Sequence, residues 1–240
     1  MSRNDGREPG ALRPVAITPG FVRTATGSAL IEAGGTRVIC TASVDEDVPR
    51  WMMGKGRGWV TAEYSMLPAS TGERKKRDVS KGRPDGRTVE IQRLIGRSLR
   101  GVVDFEALGE RTVWVDCDVL EADGGTRCLS ITGGYIALEL ALRRVIAEGK
   151  LDKLPLTQSV AAVSAGIVDG RSLLDAGGTD HTRAADFNQY RPLSVHEEAR
   201  GEPRGPGLGR RASIVSSHEP SFSSVFTHFR FFCSGWRRST

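Results

Sequence analysis

Five consecutive residues, Asp123-Gly124-Gly125-Thr126-Arg127, have the composition of an anion cradle. Glycines allow close backbone approach, and the first turn of a following helix has N–H groups without internal acceptors at the positive end of its dipole. The threonine hydroxyl and the arginine guanidinium add further donors. An ordinary strand-to-helix turn carrying a solvated arginine has the same composition. Upstream, Arg74-Lys75-Lys76-Arg77, Lys81, Arg83 and Arg87 form a basic stretch broken by glycine and proline. Such a loop can follow the phosphates of a single-stranded nucleic acid without a fixed register, although a solvated charged loop looks alike. A third set is acidic: Asp116, Asp118 and Asp123, then Asp175, Asp180 and Asp186. Two carboxylates brought together can hold Mg²⁺ beside a phosphate, whereas apart they are strand-edge groups and turn caps. No G-x-S-x-G elbow competes with these candidates.

These groups need a scaffold, and the hydrophobic pattern supplies one. Leu30–Ala33 and Arg37–Ala42 are β-rich runs around Gly34-Gly35, which predicts a hairpin. From Val89 to Val103, Ile91, Leu94, Ile95, Leu99 and Val102 recur at helical spacing, with Arg93, Arg97 and Arg100 forming a second, cationic stripe. Thr112–Leu120 alternates as a strand, with Val113, Val115, Cys117 and Val119 on one side and Trp114, Asp116 and Asp118 on the other. Ser130–Glu148 is a long apolar helix closed by Gly149. Val160–Val168 and Arg171–Leu174 flank Asp169-Gly170, a second hairpin signal. Together these elements predict an α/β or α+β domain.

The chain has 240 residues, enough for a sizeable core, and no apolar run long enough to span a membrane. Lysine plus arginine is 34 against 29 acidic residues, a net charge of +5 that favours a polyanionic partner. The start lacks the apolar stretch of a signal peptide, so the expected address is cytoplasmic. Cys40, Cys117, Cys128 and Cys233 contain no C-x-x-C pair and fit reduced, structural thiols better than zinc ligands. Near residue 176 the composition changes. All four histidines and six of the eight phenylalanines lie beyond it, lysine stops at Lys153, and no period is sustained. Two units are expected: 1–175, and a divergent C-terminal segment 176–240, partly disordered or frame-altered.

Several longer segments resemble one family. Arg13-Pro14, Cys40–Ser43, Gly58–Pro68, Gly86–Ile95, Asp116–Arg127 and Val160–Ser164 occur in the order and wording of ribonuclease PH proteins. The resemblance runs from about Arg13 to Asp175. It implies an α+β fold like the second domain of ribosomal protein S5, with a four-stranded sheet, packed helices and a left-handed βαβ crossover. It further implies a homohexameric ring of three dimers. The implied activity is phosphorolytic 3′→5′ trimming of nucleotides beyond the CCA end of tRNA precursors, using inorganic phosphate, releasing nucleoside diphosphates and running in reverse as nucleotide addition.

Carried over residue by residue, the resemblance assigns phosphate to Arg87, Gly125, Thr126 and Arg127, and RNA to Arg74, Arg77, Arg93 and Arg97. A further basic position of the loop is Ala69 here. The family also supplies two aspartates in an Asp-x₅-Asp segment after the strand ending at Leu174-Asp175, for a metal such as Mg²⁺ or for proton transfer. Asp180 and Asp186 reproduce that step offset by one position, followed by Asn188. Two readings follow. One is an active enzyme; the other is a non-catalytic ring subunit, or an impaired product, that binds RNA and phosphate without its catalytic carboxylates.

Overall fold

A computed structural model describes residues 3, 5–77, 82, 84–168, 171–175 and 177, and the backbone of 184–186 and 191–195. The main sheet has five strands in the order β1-β2-β3-β5-β4. They are β1 (Val15–Pro19), β2 (Gly27–Ala33), β3 (Thr36–Asp45), β4 (Trp59–Met66) and β5 (Thr112–Glu121). The β2–β3 hairpin turns at Gly34-Gly35, where Gly34 takes φ 56, a left-handed value that glycine adopts at low cost. The resemblance implies four strands; the fifth is β1, which pairs antiparallel with β2 from Val15 to Pro19.

Strands β4 and β5 are adjacent and parallel, so the chain between them must cross over. That crossover contains α1 (Gly86–Arg100) and the short α2 (Phe105–Leu108). Helix α1 begins three residues before the predicted Val89 because Asp85 caps it, its carboxylate accepting from the Arg87 N–H. It stops at Gly101, so Val102 and Val103 are buried beyond its end rather than on it. Helix α3 (Thr126–Ala147) begins four residues before the predicted Ser130. Thr126 and Arg127 therefore belong to its first turn instead of a preceding loop.

Alternation along the strands places Val38, Cys40 and Ala42, Val60, Ala62 and Tyr64, and Val113, Val115, Cys117 and Val119 on one buried face. There they meet Ile91, Ile95 and Leu99 of α1 and Ile131, Leu138 and Leu142 of α3. Helix α3 packs so closely on β2 that a Cβ on Gly27 would lie 2.2 Å from the Ala137 carbonyl oxygen. Cys40, Cys117 and Cys128 are buried free thiols, as expected, while Cys233 lies outside the described residues. Among the described residues no helix is long and apolar enough to cross a membrane.

The run predicted as a single strand over Val160–Val168 is interrupted at Ser164. It forms β6 (Ser159–Val163) and β7 (Ala165–Val168) in different sheets. Strand β7 pairs antiparallel with β8 (Arg171–Leu174), as the hairpin signal predicts, although Asp169-Gly170 lies outside the described residues. Among the described residues, two strands follow residue 176: β9 (Ala184–Asp186) beside β7, and β10 (Arg191–Val195) beside β6. The sequence shows no period there because three- and five-residue strands are too short to display one.

A candidate anion pocket between two helix N-termini

A pocket of about 220 Å³ opens at the carboxyl ends of the parallel pair β4 and β5. Its lining includes Met66, Thr71, Arg87, Gly125, Thr126 and Arg127. All four residues assigned to phosphate by the resemblance thus meet in one concavity. Arg87 comes from the first turn of α1, and Thr126 and Arg127 from the first turn of α3. Each helix contributes the positive end of its dipole together with a guanidinium.

Like charges face each other in the pocket. The Arg127 guanidinium is held below the usual arginine range by burial and by the like charge of Arg87. Glu90 offsets this from 3.5 Å but is itself well exposed. A bound dianion would relieve the repulsion between the two arginines. Gly125 caps α3 in a left-handed conformation, φ 74, with no side-chain hydrogen bond of the kind serine or aspartate would supply.

Two residues that bear on the pocket were not legible as such: Tyr64, which supports Thr126, and Ser164, which lies in the wall. The Tyr64 hydroxyl donates to Thr126 Oγ1 at 3.0 Å, leaving the threonine proton available to a ligand. Burial pushes the Tyr64 phenol up, against the Thr126 hydrogen bond and the charges of Arg87 and Arg127, so it remains a donor at neutral pH. Alternation along Val60, Ala62 and Tyr64 could have placed it on the inner face, but not against a residue of another element. Ser164 does line the pocket; it is 6% exposed and its hydroxyl has no partner among the described residues. Its signal was the break it makes in the β6–β7 run.

The remaining candidates are distributed differently. Arg74, Arg77, Arg93 and Arg97 are exposed and do not line the pocket. Arg77 lies close enough to β5 for its charge to act on Asp118. Lys81 and Arg83 fall outside the described residues. Asp116 and Asp118 project from the face of β5 opposite the helices, both pushed up chiefly by burial, Asp116 also by the charges of Glu63 and Asp118. Asp123 lies 3.6 Å from Arg13.

Of the two readings of Asp175, the structural one holds, because both its oxygens engage Arg13, at 2.7 and 3.0 Å. Asp180 lies outside the described residues, and Asp186 is described only as a backbone partner of Ile167. Among the described residues no three histidine, cysteine, aspartate or glutamate side chains converge to hold a metal. With Asp175 committed to Arg13, the described donor set does not fit Mg²⁺.

Fold and pocket together define an α+β protein that gathers positive charge at two helix N-termini, suited to phosphate or a phosphodiester. The chain belongs to the ribonuclease PH family: residues 11–143 match the model of the 3′ exoribonuclease family, domain 1. A ribonuclease PH of Syntrophomonas wolfei subsp. wolfei is 55% identical over 189 residues, covering 78% of this chain and 79% of that protein. Among solved structures, the Archaeoglobus fulgidus exosome with RNA bound to its active site aligns with TM-score 0.65 and 20% identity over 94% of this chain and 87% of that one. Rice (Oryza sativa) Rrp46 aligns with TM-score 0.62 and 21% identity over 82% of this chain and 87% of its own.

Proposed function

We propose that this protein is a phosphorolytic 3′→5′ exoribonuclease that trims nucleotides beyond the CCA end of tRNA precursors and, in reverse, adds them. Its family membership supports the activity, and the convergence of Arg87, Thr126 and Arg127 in one pocket supports the site. Inorganic phosphate held there by two guanidiniums and α3 amides lies where a phosphate oxygen can attack the last phosphodiester in line. A new P–O bond forms to the terminal nucleotide, and its bond to the preceding 3′ oxygen breaks. A nucleoside diphosphate leaves, and the shortened RNA keeps a 3′ hydroxyl after taking up a proton. The two arginines act by positioning and by neutralising charge that builds on the equatorial oxygens.

Arg74, Arg77, Arg93 and Arg97 are assigned to the incoming RNA as exposed, salt-sensitive phosphate contacts. Residues 1–175 carry the pocket and 176–240 remain the divergent segment. The expected assembly is a hexameric ring in the cytoplasm. Mg²⁺ belongs to the resemblance, but the described residues form no site for it, so no step is assigned to it here. A second reading, a ring subunit that binds without turnover, draws on the likeness to exosome subunits and on the divergence after residue 176.

The test is incubation of the full chain with an RNA bearing a short 3′ extension, with and without inorganic phosphate. Phosphate-dependent release of nucleoside diphosphates supports the enzyme, and its loss in Asp180→Asn or Asp186→Asn would assign the acid or metal groups. RNA and phosphate binding without release supports the second reading.

A further inference from the structure

We infer that Arg13, clamped by Asp175, and Thr36 are positioning residues that aim the Gly124 and Gly125 amides into the pocket as phosphate donors. This rests on the pocket being the phosphate site and adds the residues that orient its loop amides.

The loop before α3 is gripped through its carbonyl groups. Arg13 Nη1 donates to the Asp123 carbonyl at 2.8 Å, and Arg13 Nη2 to the Gly124 carbonyl at 3.2 Å. Thr36 Oγ1 donates to the same Gly124 carbonyl at 2.7 Å and accepts from the Asp123 N–H at 2.9 Å. In a planar trans peptide the C=O and the following N–H point in opposite directions, and among the described residues no peptide bond is cis. Fixing the Asp123 carbonyl on Arg13 therefore turns the Gly124 N–H away from Arg13. Fixing the Gly124 carbonyl on Arg13 and Thr36 likewise turns the Gly125 N–H away from both. Gly124 and Gly125 line the pocket while Arg13 and Thr36 do not, so the side turned away is the pocket side. Neither amide donates to a backbone or side-chain acceptor among the described residues. Both glycines have positive φ, 84 and 74, and left-handed Gly125 is followed directly by right-handed Thr126, the change of hand at which successive amides form a concave anion nest.

Arg13 is in turn held rigidly. The Asp175 carboxylate engages it through two side-chain hydrogen bonds and also accepts from its backbone N–H at 2.8 Å. Both side chains are buried, at 5% and 8% exposure, where a bidentate pair has a single good geometry. Asp175 is itself fixed by its N–H on the Ser164 carbonyl and by Arg3 on its own carbonyl. Glycines make room for the Arg13 side chain: a Cβ on Gly34 would lie 2.6 Å from its Cδ, and one on Gly177 2.9 Å from its Nη1. Ser164 lines the same pocket, and its buried hydroxyl has no partner among the described residues.

The experiment titrates inorganic phosphate into the full chain by calorimetry and, in parallel, a single-stranded RNA without phosphate by fluorescence anisotropy. Thr36→Val, Thr36→Ser and Asp175→Asn are compared with wild type. Loss of one aiming hydrogen bond is expected to weaken phosphate binding about fivefold or more in Thr36→Val and Asp175→Asn. Thr36→Ser restores it, and RNA affinity stays within about twofold throughout, because RNA contacts on the exposed arginines do not use the loop amides. Phosphate affinity unchanged in Thr36→Val, or RNA affinity falling in step with it, overturns the inference while leaving the phosphate site intact. A wild-type chain that binds no phosphate overturns the parent reading and this inference together. If Asp175→Asn does not fold, the Thr36 pair decides by itself.

Discussion

Replacing Arg87 by glutamine should move stability in opposite directions with and without phosphate. Asp85 caps α1 through the Arg87 backbone N–H, so the substitution leaves the helix start in place. Without phosphate it removes the like charge that acts on half-buried Arg127, so the melting midpoint should hold or rise. For wild type, phosphate at a hundred times its Kd adds about 2.7 kcal/mol to the native state. For a domain of this size that is a rise of about 5–11 °C. Losing one charged hydrogen bond to the ligand costs about 1.5–3 kcal/mol, or a Kd raised about 10- to 150-fold. At the same phosphate concentration the variant then gains only about 0.3–1.4 kcal/mol, a rise of about 1–6 °C. Differential scanning fluorimetry across a phosphate series measures both quantities. A variant that melts lower than wild type without phosphate, yet keeps the full phosphate-dependent rise, would refute the two-arginine account of the pocket.

Three further outcomes follow from separate contacts. Tyr64→Phe deletes the hydrogen bond to Thr126, worth about 1 kcal/mol, and should weaken phosphate binding about fivefold by calorimetry without altering RNA affinity. Gly27→Ala drives a methyl into the backbone of α3 at Ala137 and Ala141, which cannot give way as a side-chain tip can. The expected loss is about 1–3 kcal/mol, seen as a midpoint lowered by about 2–12 °C. Asp116 has a carboxyl raised above 3.8 by burial, Glu63 and Asp118, so the native state holds its proton more tightly than the unfolded chain. Its contribution to stability therefore declines as pH rises from 3.8 through the folded value. Asp116→Asn should raise the midpoint at pH 7 and lose that advantage in acid; an equal gain at both ends of a pH series would exclude the charge explanation.

Much of this molecule is written in short-range pattern. The Gly34-Gly35 turn, the alternation of β5 and the apolar stripe of α1 are visible because a strand repeats every two residues and a helix every 3.6, whatever packs against them. The pentapeptide Asp123–Arg127 is legible for the same reason, since a glycine turn and the helix it starts are covalent neighbours. The start of α3 at Thr126 was not, because its first turn is stabilised by burial against the sheet and not by a recognisable cap. Nor was the split at Ser164, since one polar residue in an apolar run does not show that the strands on either side enter different sheets.

Local pattern names the residues able to bind an anion; long-range packing sets which way they face. Arg87 and Arg127 share a pocket only because parallel pairing of β4 and β5 brings two helix N-termini together. Tyr64 reaches Thr126 across 62 positions, and Asp175 reaches Arg13 across 162. No local pattern encodes such pairings, since each is a property of two distant segments that burial forces into the same low-dielectric space, where an unpaired charge or hydroxyl is costly.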